Sequence, residues 1–184
     1  MKLAIFDLDG TLSPQRPYST SPFRRIFLPN VANKLSALKK QGVFLALATN
    51  QGGANCQHPE RLSMGVLQAH FHWLRYTLGL HSIRFAIAPA RKKPHPIMLI
   101  ELMSQFNVTP DETLFVGDAE TDCHAAMAAS VPFVYADIFF GNWERHNGDR
   151  QNSPSVFETY HKCYPAPLAE LSRNISNAGT TNDC

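Results

Sequence analysis

Little in this chain of 184 residues is in excess. Cysteine is scarce: Cys56, Cys123, Cys163 and Cys184 form no CxxC pair and show no regular spacing. That argues against a disulfide framework and for unpaired thiols in a reducing compartment. The net charge is only +2 at pH 7, so no broad basic face is expected for nucleic acid. No apolar run approaches the roughly 20 residues of a membrane span. The first residues enter an apolar stretch at once, without a signal-peptide pattern. A cytoplasmic protein with no membrane partner is therefore expected. Internal repeats and low-complexity blocks are absent. What remains, 44% hydrophobic and 17% charged residues, describes a globular domain long enough to bury a real core.

Apolar runs at residues 2–6, 43–48, 83–88, 114–116 and 132–136 read as short strands buried on both faces. Between them, helical spacing of apolar residues predicts helices over 29–41, 60–79, 96–106 and about 122–129. Val31, Leu35 and Leu38 mark the inward face of the first, and Leu67, Phe71, Leu74 and Leu78 that of the second, with His70, His72 and Tyr76 beside that stripe. The third carries apolar Ile97, Ile100, Leu102 and Met103. Strands alternating with helices at these lengths imply an α/β fold, a central parallel sheet with helices on both faces. Residues 12–28, with three prolines, predict an irregular loop: either a solvated connection, or a flap whose Arg16, Arg24 and Arg25 contact an anionic substrate. Residues 1–140 are expected to form the core domain and 141–184 a loosely ordered extension with a weak helix near Leu168 to Asn174.

In such folds ligands bind beyond the carboxyl ends of the strands. Asp7 and Asp9 follow the first strand, Thr49 and Asn50 the second, Lys92 and Lys93 the third at a short distance, and Asp118 the fourth. One edge of the sheet should gather them all. Asp7, Asp9, Asp118 and Asp122 against a single lysine leave a charge that would repel an anion. A like-charge pair at about 4 Å costs on the order of 4 kcal/mol at an effective dielectric of about 20, so a divalent cation or raised carboxyl pKa values are required. Oxygen-only ligands favour Mg²⁺. With Mg²⁺ and Lys93 the site is nearly neutral and can take a phosphate, which Thr49, Asn50 and the amides of Gly52-Gly53 could bind. Two carboxylates with separate tasks suit phosphoryl transfer, Asp7 as nucleophile and Asp9 as acid/base.

The ordered set Asp7-Leu8-Asp9-Gly10-Thr11, Thr49-Asn50, Lys93-Pro94 and Gly117-Asp118-Ala119-Glu120-Thr121-Asp122 resembles the four motifs of the haloacid dehalogenase-like phosphatases. The resemblance covers roughly residues 1–140. It implies a Rossmann-like three-layer sandwich, an aspartyl-phosphate on Asp7, acid/base work by Asp9, and phosphate contact by Thr49 and Lys93. It also implies Mg²⁺ held by Asp7, the Asp9 carbonyl and Asp118, with Asp122 orienting the metal's surroundings. The Thr49-Asn50-Gln51-Gly52 and Arg91-Lys92-Lys93-Pro94 runs are similar to the branch containing histidinol phosphatase, heptose bisphosphate phosphatase and the polynucleotide 3′-phosphatases. A zinc loop found in some of these is not matched, since only Cys56 and His58 stand in that region. Of the paired lysines, Lys93 is taken as the inward amine because Pro94 follows it.

The intervals between motifs leave no room for a separate cap domain. Specificity then falls to the 12–28 loop, to residues 51–59 and to His95, which could equally be a helix-start residue. The expected substrate is a small phosphorylated metabolite. The alternatives are a nucleic-acid 3′ end, drawn to Arg24, Arg25, Arg91 and Lys92, and a non-catalytic phosphate-binding regulatory module, against which the intact Asp7 and Asp9 argue. Oligomeric state does not follow from the sequence.

Overall fold

Strand β1 (Leu3–Phe6) is apolar and buried at every position, as a strand must be when both faces of its sheet are covered. In the computed structural model it lies at the centre of a five-stranded sheet of order β3-β2-β1-β4-β5. Strands β2 (Phe44–Asn50) and β4 (Thr113–Gly117) flank β1, with Leu3 opposite both Phe44 and Thr113. Strands β3 (Ser82–Ala86) and β5 (Phe133–Tyr135) form the edges, and every pairing is parallel. The structure describes residues 1–15, 25–51 and 63–141, all within one compact unit, Met1–Asn142. The expectations for Arg16, Arg24, the Gly52-Gly53 amides, Cys56, His58, the start of the 60–79 helix and the 141–184 extension lie outside the described residues.

Parallel neighbours need crossover connections, which the helices supply: α1 (Val31–Lys40), α2 (Met64–Leu78), α3 (Ile97–Phe106) and α4 (Glu120–Ala128). Right-handed crossovers place α1 and α2 on one face and α3 and α4 on the other, because the strand order reverses between β3 and β4. A fifth helix, α5 (Ala136–Phe140), was not expected. Its Phe139 and Phe140 pack against Phe6, and the Phe140 carbonyl accepts a hydrogen bond from Asn30 ahead of α1 at 3.1 Å. Ser63 caps α2 by accepting from the Val66 N–H, and Gly79 ends it at positive φ.

Several expectations need correction. Strand β2 continues through Thr49 and Asn50, which pair with Phe85 and Ala86 of β3, so these residues end the strand and do not follow it. Helix α4 begins at Glu120, because Asp122 accepts from the N–H groups of Asp118 and Ala119 and so caps the turn before itself. On α3, Met98 and Leu99 are buried while Ile100, at the border of the polar face made by Glu101, Ser104 and Gln105, is 44% exposed. The α2 trio splits: His70 is 2% exposed and Tyr76 87%. Among the described residues no helix is long and apolar enough to cross a membrane.

Candidate active site

Strands β1, β2 and β4 run side by side in one direction, so the residues at their carboxyl ends meet at one sheet edge. Asp7 is the first residue past β1, its N–H still bonded to the Val116 carbonyl at 2.9 Å. Asp118 is the first past β4. The chain turns sharply after Asp9 at Gly10, where φ is +93° and a Cβ would stand 2.1 Å from Asp118 Oδ2. Only glycine leaves space for that carboxylate and takes that backbone without strain. Thr11 Oγ1 then donates to Asp118 Oδ1 and Gln15 Nε2 to Asp118 Oδ2, both at 3.1 Å.

Lys93 arrives on the loop after β3, past a short 3₁₀ turn at Pro89–Arg91. Its side chain is 3% exposed, and Nζ donates to Asp7 Oδ1 at 2.5 Å, to Asp122 Oδ1 at 2.6 Å and to the Ala48 carbonyl at 2.9 Å. All three ammonium protons are thereby engaged. Lys93 is the amine that enters the cluster, while Lys92 stays half-buried outside it. Asp122 Oδ2 accepts from the N–H groups of Asp118 and Ala119 at 3.2 and 3.1 Å, so one side chain ties the lysine to the β4 loop.

Asn50 holds the backbone of Lys93 through two hydrogen bonds. Thr49 is buried, and its Oγ1 accepts from Gln51 Nε2 at 3.2 Å. Asp9, half-exposed, stands apart from the other three carboxylates and is bonded to Arg25 Nη1. His95 lies exposed, its Nδ1 accepting from the Ile97 N–H at 3.2 Å, which is the geometry of a helix-start residue. Thr11 and Gln15, partners of Asp118, were not singled out from the sequence. The Thr following Gly10 was the available signal.

One lysine cannot neutralise two buried carboxylates. Burial is the largest influence on Asp7 and pushes its carboxyl up to about 7; Lys93 opposes this, while Asp122 and Asp118 add to the rise. Burial also raises Asp118, with Asp122 contributing, against the bonds from Thr11 and Gln15. For Lys93 burial alone would lower the pKa, but Asp7 and Asp122 together outweigh it and hold the amine protonated above its ordinary range. The excess is negative, and a cation relieves it. Asp7, Asp118 and Asp122 each offer an oxygen within 4.8 Å of the others, a donor set of oxygens alone that suits a hard divalent ion.

The comparisons agree with this geometry. Residues 26–136 match the haloacid dehalogenase-like hydrolase family. The chain is 33% identical over 136 residues to phosphoglycolate phosphatase of Pseudomonas putida, covering 70% of this chain and 45% of the relative. It is 40% identical over 108 residues to phosphoglycolate phosphatase of Mannheimia succiniciproducens, covering 58% and 42%. The chain thus spans less than half the length of these two relatives. Among solved structures it resembles D,D-heptose 1,7-bisphosphate phosphatase from B. bronchiseptica complexed with magnesium and phosphate, with a TM-score of 0.63 and 25% identity over 72% of this chain and 79% of that one. With the family match spanning most of the described core and the acidic cluster at the ends of β1 and β4, this chain belongs to the haloacid dehalogenase-like hydrolases.

Proposed function

We propose that the chain is a Mg²⁺-dependent phosphomonoester hydrolase that works through an aspartyl-phosphate on Asp7, with a small phosphorylated metabolite as substrate. The observation that carries this reading is Asp7 itself: a buried carboxylate at a strand end, 2.5 Å from the Lys93 ammonium and within one cluster of Asp118 and Asp122. The names of the similar proteins support it, since they are phosphatases and one was solved with magnesium and phosphate.

In this mechanism an Asp7 oxygen attacks phosphorus in line, the bond from phosphorus to the ester oxygen breaks, and Asp9 gives its proton to the leaving oxygen. A water then attacks the phosphorus, Asp9 takes a proton from it, and the bond between phosphorus and Asp7 breaks to release phosphate. Lys93 and Thr49 bind the phosphoryl oxygens, and Asn50 holds Lys93 in place. Asp7, Asp118 and the Asp9 carbonyl, with Asp122 behind them, would hold Mg²⁺, which would supply positive charge to the phosphoryl oxygens.

Residues 1–140 form the catalytic core in this reading and 141–184 an extension. Residues 7–30 and 51–63 alone separate β1 from α1 and β2 from α2, too few for a cap domain in this reading. A charged ester does not cross a bilayer unaided, which goes with a cytoplasmic setting. The nucleic-acid 3′ end required a basic rim, and of that rim Arg91 is paired with Glu101.

The purified chain should hydrolyse a generic aryl phosphate with Mg²⁺ and lose nearly all activity on Asp7→Asn. Equal rates for the two proteins would overturn the mechanism. A panel of sugar, carboxylate and amino-alcohol phosphates with a 3′-phosphorylated oligonucleotide then places the substrate. Background rates on the oligonucleotide exclude the alternative.

A further inference from the structure

Arg25 lies at the end of the 12–28 loop with its side chain 9% exposed. Its Nη1 donates to the Asp9 carboxylate and, at 2.5 Å, to Ser13 Oγ. Its Nε is buried with no acceptor. An N–H donor buried without a partner destabilises the fold, and here it belongs to a cation bonded to Asp9. The neighbouring group on α2 is His70, whose pKa burial and then the Arg25 charge lower to about 4, so that side supplies no counter-charge. The guanidinium is a rigid fork that grips a carboxylate or phosphate with two donors at once. Asp9 takes only one of its nitrogens and Nε waits beside it.

Position identifies the missing acceptor. Asp9 hands its proton to the ester oxygen in the mechanism above, so it faces the leaving group. Arg25, bonded to Asp9, stands against the atoms just beyond that oxygen. Lys93 is held by Asp7 and Asp122 and, in the mechanism above, turns to the transferred phosphoryl group, so it does not serve a second anion beyond the ester oxygen. We propose that Arg25 is a specificity-determining residue that selects phosphomonoesters whose leaving group carries a second anionic group, a carboxylate or another phosphate. The anion takes the fork from Asp9, satisfies Nε, and leaves Asp9 turned to the ester oxygen. A neutral leaving group leaves Asp9 pinned. This rests on the phosphomonoesterase reading and narrows it to a class of substrate.

The test compares esters of matched shape. Carboxymethyl phosphate is set against its neutral amide, carbamoylmethyl phosphate, and propane-1,3-diol bisphosphate against 3-hydroxypropyl phosphate. Each is assayed with wild type, Arg25→Gln and Arg25→Lys. Wild type should favour the anionic member of at least one pair by about 10- to 100-fold in kcat/KM, the range of a charge-assisted hydrogen bond. Which pair responds tells carboxylate from phosphate. In Arg25→Gln the ratio should fall toward one, with KM for the anionic ester raised, and Arg25→Lys should keep an intermediate ratio. A ratio near one for both pairs in wild type, or a ratio that survives Arg25→Gln, overturns the proposal. If Arg25→Gln does not fold, Arg25→Lys decides, a ratio unchanged from wild type refuting it. Wild type that hydrolyses no ester, aryl phosphate included, refutes the phosphatase reading and this proposal with it. Hydrolysis of anionic and neutral esters at equal rates refutes this proposal alone.

Discussion

Asn50 and Lys93 are joined by a pair of hydrogen bonds: Asn50 Nδ2 donates to the Lys93 carbonyl at 3.0 Å, and the Lys93 N–H donates to Asn50 Oδ1 at 2.8 Å. One amide side chain at the end of β2 thus reads both backbone groups of a residue on the loop after β3. The lysine's Cα is fixed, and its ammonium reaches Asp7 and Asp122 from there.

Asn50→Ala removes both bonds and should lower kcat/KM on an aryl phosphate by about 10- to 100-fold, with a loss of about 1–2 kcal/mol in stability. Asn50→Asp keeps the acceptor for the Lys93 N–H but has no donor for its carbonyl, and adds a carboxylate to an acidic edge. It should fall at least as far. Steady-state kinetics beside urea unfolding check both, and unchanged values would show that the lysine is held by other contacts.

Gly10 and Gly42 both have positive φ, +93° and +77°, but differ in what surrounds them. A Cβ on Gly10 meets the Asp118 carboxylate, whereas nothing lies within 4 Å of one on Gly42. Gly42→Ala should therefore cost only the backbone strain, about 1 kcal/mol. Gly10→Ala should cost more, on the order of 2–3 kcal/mol, and also displace Asp118. Urea unfolding orders the two variants, and Mg²⁺ titration of each should show weakened binding in Gly10→Ala alone.

His70 is 2% exposed and its pKa falls from 6.5 to about 4 on folding, through burial first and the Arg25 charge second. A histidine whose folded pKa is lowered stays neutral while the unfolded chain takes up the proton. Its contribution is complete above about pH 6.5 and is lost as the pH falls toward 4. Wild type should lose on the order of 2 kcal/mol across that window that His70→Gln does not lose. Unfolding curves collected from pH 7 to 4 measure the difference, and parallel curves would contradict it.

The five strands were legible because each is an apolar run bounded by polar residues, and four of the five helices because their apolar positions recur at helical spacing. Helix α5 was not, since the run from Phe133 to Phe140 is apolar almost throughout and carries neither period. Asp7 and Asp118 could be placed together because a parallel sheet forces the ends of adjacent strands to one edge. Arg25 could be named as a cation on a nearby loop, but its pairing with Asp9 could not, nor could Ser13 as its second acceptor. The Asn50 clamp was hidden for a similar reason. Its partner stands on another crossover, and nothing local to Thr49-Asn50 points to it.

The sequence alone determined the kind of sheet, the edge where chemistry-bearing residues collect, and the excess of carboxylates over amines there. These follow from hydrophobic pattern, chain direction and charge, which are properties of the residues and their order. Only the tertiary structure decided that Asp122 shares Lys93 with Asp7, that Gly10 makes room for Asp118, and that Arg25 holds Asp9 aside from the other three acids. Each is a contact between residues far apart in the chain, set to within a hydrogen-bond length by packing, and no local pattern encodes a distance of that kind.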